Sequence, residues 1–268
     1  MGNIGWINTE NYSFDCMLRM ERFQIRLMLE CLDEKTEGAM AVALKANPKT
    51  AWLFRQKCPE MADKIKALTA PQAHEVYTPE QIRAAEIRVM DEFEDFVIYT
   101  TPEVMAEKCD FIYGWNKERL YELCDLDGKI VLDVGSGTGR LAFAAAGKAA
   151  FVIASEPVGS LREFMRDRIA GKGIGNMRVC DGLCHCLPFP DNCFDVVMSG
   201  HVVGDFFREE VNELTRVAKP GGWLLDVPGD QRRETGRNEQ LLADGWEELA
   251  YTGSFGKTTW RYRKQVRK

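Results

Sequence analysis

From Gly128 onward, short apolar, β-branched runs alternate with stretches in which apolar residues recur every three or four positions. The runs at 130–134, 151–155, 177–180, 194–199 and 223–227 read as strands, and 138–146, 158–170 and 205–217 read as the helices between them. Such alternation predicts βαβ units and a parallel sheet. Two further runs, 246–252 and 258–266, are separated only by a Gly-containing turn and predict an antiparallel hairpin. In the second of them Trp260 and Tyr262 fall on one face and Arg261 and Arg263 on the other, as a period of two requires. The expected fold is α/β: a doubly wound, Rossmann-like sheet of seven strands, mostly parallel.

The first half has the other periodicity. Phe14, Leu18, Ile25, Met28, Leu29 and Leu32 follow helical spacing and predict one long helix over 13–32. Shorter helices are expected at 36–46, 49–57, 60–68, 102–109 and 116–124. At Thr78-Pro79-Glu80-Gln81 a capping residue, a proline at the first helical position and a capping-box partner coincide. The helix they open places Ile82, Ala85, Val89, Phe93 and Phe96 on one face. Residues 1–77 are therefore read as a helical accessory region. Residues 78–268 are read as the ligand-binding domain with its leading helices, its core at 129–268.

Composition narrows the class further. Of 268 residues 45% are hydrophobic and 28% charged, ordinary for a globular chain. The longest wholly apolar run, 141–146, is far short of the ~18–20 residues that cross a bilayer. The first residues show no basic segment followed by an apolar one, so no export leader is read and a cytoplasmic protein without membrane attachment is expected. Charge is uneven: residues 1–128 hold 15 basic and 23 acidic residues, the remainder 20 and 18. Six basic and no acidic residues end the chain at 257–268. They read as a charged, exposed edge strand that resists sheet-to-sheet pairing, in preference to a polyanion-binding tail.

The strand at 130–134 runs into Asp133-Val134-Gly135-Ser136-Gly137-Thr138-Gly139-Arg140. Alternating glycines between a strand and a helix let the backbone turn tightly and approach a ligand closely. A dinucleotide fingerprint would need glycine at 140, where Arg140 stands, and an apolar residue in place of Asp133. Glu156 closes the second strand, placed to accept hydrogen bonds from both hydroxyls of a ribose. With these residues in register the chain resembles the class I S-adenosylmethionine (SAM)-dependent methyltransferases. Asp181-Gly182 looks like the family's adenine-contacting motif, 187–197 like the lead-in to its fourth strand, and 213–222 like the turn into its fifth. The likeness covers about residues 110–268 and is nearest the small-molecule and quinone-precursor branch.

That resemblance implies SAM as cofactor, held by Asp133, Gly135, Ser136, Gly137, Glu156, Pro157, Asp181, Gly182 and Ser199. It implies methyl transfer by in-line displacement to a small-molecule acceptor, with His201 as candidate base and Asp205 as its orienting carboxylate or a second base. The fourth strand ends in Ser199-Gly200-His201-Val202, without the Pro-Pro-aromatic motif of enzymes that methylate nucleic-acid bases, so no nucleic-acid partner is expected. Tyr99, Tyr113 and Trp115 are candidate lid aromatics. Four cysteines near one another (Cys180, Cys184, Cys186, Cys193) lack the paired spacing of a zinc site, and no metal is expected. They leave open a thiol or metalloid acceptor, beside a macromolecular acceptor and a non-catalytic SAM-binding role.

Overall fold

The computed structural model describes residues 5–71 and 76–268; residues 1–4, where the reading of the N-terminal segment begins, and residues 72–75 lie outside it. The chain divides into two compact units, Met1–Thr101 and Pro102–Lys268. The boundary falls beyond residue 77, because the capped helix at 79–92 and its successor pack within the first unit.

The first unit is helical: 3-10 turns at Thr9–Asn11 and Phe14–Arg19, then α1 (Arg22–Glu30), α2 (Glu34–Ala46), α3 (Pro48–Lys57), a turn at Pro59–Met61, α4 (Ala62–Thr69), α5 (Pro79–Glu92) and α6 (Glu94–Tyr99). The single helix expected over 13–32 is broken. Met20 and Glu21 are extended, and Glu21 opens α1 with a capping box to Gln24. The break lets both apolar stretches, Phe14–Met17–Met20 and Ile25–Met28–Leu29, enter one core. Thr78 caps α5 as its sequence dictates, its hydroxyl accepting from the Gln81 amide. That helix stops at Glu92, where Phe93 leaves the helical region, and α6 restarts so that Phe93, Phe96 and Val97 are also buried. Glu94, 1% exposed, takes the amides of Gly5, Trp6 and Ile7 at 2.8, 2.6 and 2.9 Å.

The second unit begins with the short helices α7 (Pro102–Lys108), α8 (Asp110–Tyr113) and α9 (Glu118–Tyr121). There follow β1 (Ile130–Val134), α10 (Arg140–Ala146), β2 (Phe151–Ser155), α11 (Gly159–Lys172), β3 (Met177–Cys180), β4 (Phe194–Ser199), α12 (Phe207–Val217), β5 (Ala218–Asp226), α13 (Glu239–Ala243), β6 (Glu247–Thr252) and β7 (Thr258–Gln265). The seven strands run in the order β3-β2-β1-β4-β5-β7-β6, with β1 to β5 parallel and β7 antiparallel to both its neighbours. The doubly wound sheet is the one the alternation predicts. Residues alternate between two cores: Val131, Val196, Met198 and Leu225 pack with α10, and Leu132, Val197, Leu224 and Tyr262 pack with α12.

A further expectation is overturned. The basic strand 258–265 is not an edge, because β7 inserts between β5 and β6. Its cations are used within the fold. Arg261, 3% exposed, donates to Glu122 at 2.8 Å and to the Arg119 carbonyl, Arg263 to Glu247 and the Leu123 carbonyl, and Lys264 to Asp244. Among the described residues no helix is long and apolar enough to cross a membrane.

Candidate active site

Strand order reverses between β1 and β4, and in an open α/β sheet the crevice at the carboxyl ends of such strands is where ligands bind. The glycine turn lies at the end of β1. Gly135, Gly137 and Gly139 have φ of 63°, 56° and 89°, a region costly for residues with a Cβ. Space is short as well: a Cβ at Gly135 would lie 2.4 Å from Val202 Cγ2. Local conformation and close approach therefore both demand glycine.

Two buried carboxylates fasten this turn. Asp133 Oδ2 accepts from the Ala142 amide at 3.0 Å, tying β1 to α10, and the Ser136 hydroxyl donates to the Asp133 carbonyl at 2.9 Å. Glu156, at the end of β2, takes the Gly137 amide on Oε2 (2.8 Å) and the Val158 amide on Oε1 (2.9 Å). Half-buried Pro157 lies between, leading into α11. Burial raises both carboxyls to about 7, opposed chiefly by Arg140 at Asp133 and by the Val158 and Gly137 amides at Glu156.

The other residues of the row lie along the same edge. Asp181 follows β3, exposed, with the Arg162 guanidinium 3.4 Å away. Gly182 is packed so closely that a Cβ would lie 2.4 Å from Ser155 Oγ. Ser199 ends β4, fully buried, and donates to Asp226 at 3.3 Å; burial raises the Asp226 carboxyl to about 7.

His201 follows, with φ of 64°, a residue open to solvent in part and packed in part against its neighbours. Its Nε2 is 3.2 Å from the Gln231 side chain and its ring centroid 4.9 Å from that of Phe111. The surrounding protein, and after it the Arg140 guanidinium, hold the imidazole well below its ordinary pKa, while Asp110 pulls the other way. The neutral ring is therefore favoured at neutral pH. Asp205 is exposed in the turn before α12. The carboxylate acting on His201 is that of Asp110, and Asp205 is not among the groups that shift it.

Sequence reasoning missed the role of Arg140, noticed only because it is not glycine. Its Nη2 donates to the Val227 carbonyl at 2.7 Å and its guanidinium lies 4.6 Å from the Trp115 ring centroid. It links the starts of α10 and of the loop after β5 beneath the His201 turn. No local pattern announces a contact between residues 140 and 227. Of the candidate lid aromatics, Trp115 belongs to this cluster, Tyr113 is exposed against Phe255, and Tyr99 packs in the core of the first unit.

The cysteines do not assemble. All nine are free thiols, and among the described residues no group of three or more His, Cys, Asp or Glu could hold a metal ion. Burial pushes the Cys180 and Cys184 thiols up, away from the reactive thiolate.

Known proteins share this arrangement. Residues 132–226 match the family described as methyltransferase domain. The ubiquinone/menaquinone biosynthesis C-methyltransferase UbiE of Francisella tularensis subsp. novicida is 33% identical over 117 residues, 41% of this chain and 47% of that protein. Its namesake in Azotobacter vinelandii is 36% identical over 104 residues, 37% and 41% of the two chains. The match thus spans about half the length of these curated relatives. A SAM-dependent methyltransferase from Aquifex aeolicus shares the fold, with a TM-score of 0.51 at 18% identity over 62% of this chain and 98% of that one. Strand order, glycine turn and family match agree: residues 132–226 match a methyltransferase domain, and through this strand–helix unit the chain is similar to the class I SAM-dependent methyltransferases.

Proposed function

We propose that this protein transfers the methyl group of SAM to a small-molecule acceptor. The observation that carries the reading is the Glu156 carboxylate bound to the Gly137 amide across the strand ends, a cradle built from β1 and β2 together. The residues present fit the cofactor. Gly135 and Gly137 leave the backbone bare where a ligand must approach, and each Glu156 oxygen keeps an acceptor position for a ribose hydroxyl. Asp133 and Ser136 hold the turn in shape, Pro157 sets the course into α11, and Asp181 and Gly182 would border the adenine. Ser199 supports the end of β4 beneath the reacting centre.

When bound, SAM supplies a methyl group on a sulfonium that is already a good leaving group. What remains for the protein is alignment of the acceptor and removal of its proton. His201 is the proposed proton acceptor; its lowered pKa keeps it neutral and also weakens it as a base, so the roughly 10²–10⁴-fold of a well-matched base is the ceiling of its contribution. Asp205, exposed in the turn before α12, is the proposed second base. The names of the curated relatives make a biosynthetic precursor of a quinone, methylated at carbon, the first acceptor to try.

Incubation with methyl-labelled SAM and a metabolite extract, followed by identification of the labelled product, tests the reading. A labelled small molecule is expected. Tight SAM binding with no labelled product from any extract would replace it with a non-catalytic role. In His201→Asn, which tolerates the left-handed backbone, turnover is expected to fall about 100-fold or more with SAM affinity unchanged. Equal loss of both would make His201 a packing residue.

A further inference from the structure

The cleft has two ends of different character. Glu156, Asp181 and Arg162 stand at the ends of β2 and β3. At the other end, beside β4 and β5, Arg140 lies under the His201 turn with its guanidinium stacked on Trp115. There two buried donors have no acceptor: Nη1 of Arg140 and Nε1 of Trp115. No carboxylate comes within ion-pairing distance of Arg140 among the described residues, although Asp133, Asp226 and Asp230 all act on its charge from further away. Those acids are occupied elsewhere: Asp133 with the Ala142 amide, Asp226 with Ser199, and Asp230 with Tyr251 and the Ser254 amide at 2.7 Å. Leaving buried donors unmet is expensive, most of all for a charged one, so a guanidinium stacked on an indole with an N–H of each unmet is suited to an acceptor that arrives with a ligand.

From this we infer that Arg140 Nη1 and Trp115 Nε1 form a carboxylate-binding subsite at the reacting end of the cleft. The chemistry follows from the donors. A guanidinium supplies charge and directional N–H bonds that match a carboxylate, and an indole N–H donates only. The stacking holds the two donors together before the ligand enters, because the planar guanidinium is pinned from one side by Trp115 and from Nη2 by the Val227 carbonyl. Two molecules could bring the carboxylate there: the aminoacyl tail of SAM, or an acidic acceptor. The inference rests on the proposed SAM site, and deepens it.

Titration calorimetry with S-adenosylhomocysteine and its decarboxylated analogue, which keeps the amine and loses only the carboxylate, tests the subsite. If the carboxylate is the cofactor's, the wild-type protein binds the analogue about 10–100-fold more weakly. Arg140→Gln then loses affinity for S-adenosylhomocysteine by the same factor while leaving the analogue nearly untouched. Trp115→Phe keeps the stacked ring and deletes only the donor, so it serves should Arg140→Gln fold poorly; several-fold loss confined to S-adenosylhomocysteine is expected. If instead the two ligands bind equally, benzoate titrated into the S-adenosylhomocysteine complex decides: binding that both substitutions abolish assigns the subsite to an acidic acceptor. Equal binding of the two ligands with no benzoate binding overturns the subsite, as does a loss in Trp115→Phe that is the same for both ligands. Failure of wild-type protein to bind S-adenosylhomocysteine at all would instead strike the proposed SAM site.

Discussion

Glu94 and Glu156 are both buried carboxylates that accept backbone amides, one in each unit, and they differ in what they leave over. Glu94 takes three amides from one chain segment, Gly5, Trp6 and Ile7, two of them on the same oxygen. Glu156 takes one amide on each oxygen and stands at the open end of a strand. A carboxylate offers about four acceptor positions. The first is largely consumed in tying its own chain together, whereas the second holds its turn in place and still has capacity for a ligand. Burial and hydrogen bonding alone do not separate the two acids; unspent acceptor capacity at a strand end does.

The sharpest way to break this contrast is to remove each acid in turn. Glu156→Ala is expected to weaken S-adenosylhomocysteine binding about 10–100-fold in calorimetry, since charge-assisted bonds are worth about 1.5–3 kcal/mol each. Glu94→Ala is expected to leave that affinity unchanged and to lower the melting temperature by roughly 5 °C or more, because buried amides lose their acceptor. Comparable loss of affinity in both would erase the distinction.

The turn that Glu156 holds can be perturbed without touching the acid. Gly135→Ala forces a Cβ into left-handed backbone and against Val202, and about tenfold weaker binding is expected. Adding Val202→Ala relieves the clash and not the backbone strain, so partial recovery is expected. Full recovery would mean that space alone selected glycine.

A smaller effect concerns pH. The Glu156 and Asp133 carboxyls stand at about 7 in the folded protein against ordinary values of 4.5 and 3.8. Between about pH 4 and 7 the folded state therefore holds protons that the unfolded chain has released, and stability falls as pH rises through that window. Ligand affinity runs the other way, because a ribose diol needs an ionised acceptor; several-fold tighter binding at pH 8 than at pH 6 is expected. Glu156→Gln should flatten the affinity profile and remove part of the stability slope. An unchanged slope in thermal melts at pH 5 to 8 would place the titration elsewhere.

The sequence by itself determined most of the second unit. Strand residues 130–134, 151–155, 177–180 and 194–199 are legible because each is a short, mainly apolar run bounded by turn residues, and Gly135, Gly137 and Gly139 because left-handed backbone leaves a local compositional mark. Thr78 and Gln81 likewise announced a helix start, since a capping box is complete within four residues. Three things were decided only by tertiary structure. The helix expected over 13–32 breaks at Met20–Glu21 because two apolar stripes must reach one core, a demand that a single periodicity does not express. The basic strand 258–265 became interior because strand order depends on which edge a hairpin joins, and its charges then found partners at Glu122 and Glu247. Arg140 sits beneath His201, on Trp115 and against the Val227 carbonyl, through contacts spanning up to 87 positions in the chain. Local pattern records what a residue needs from its neighbours in sequence; where a long side chain ends is settled by the neighbours that the fold brings to it.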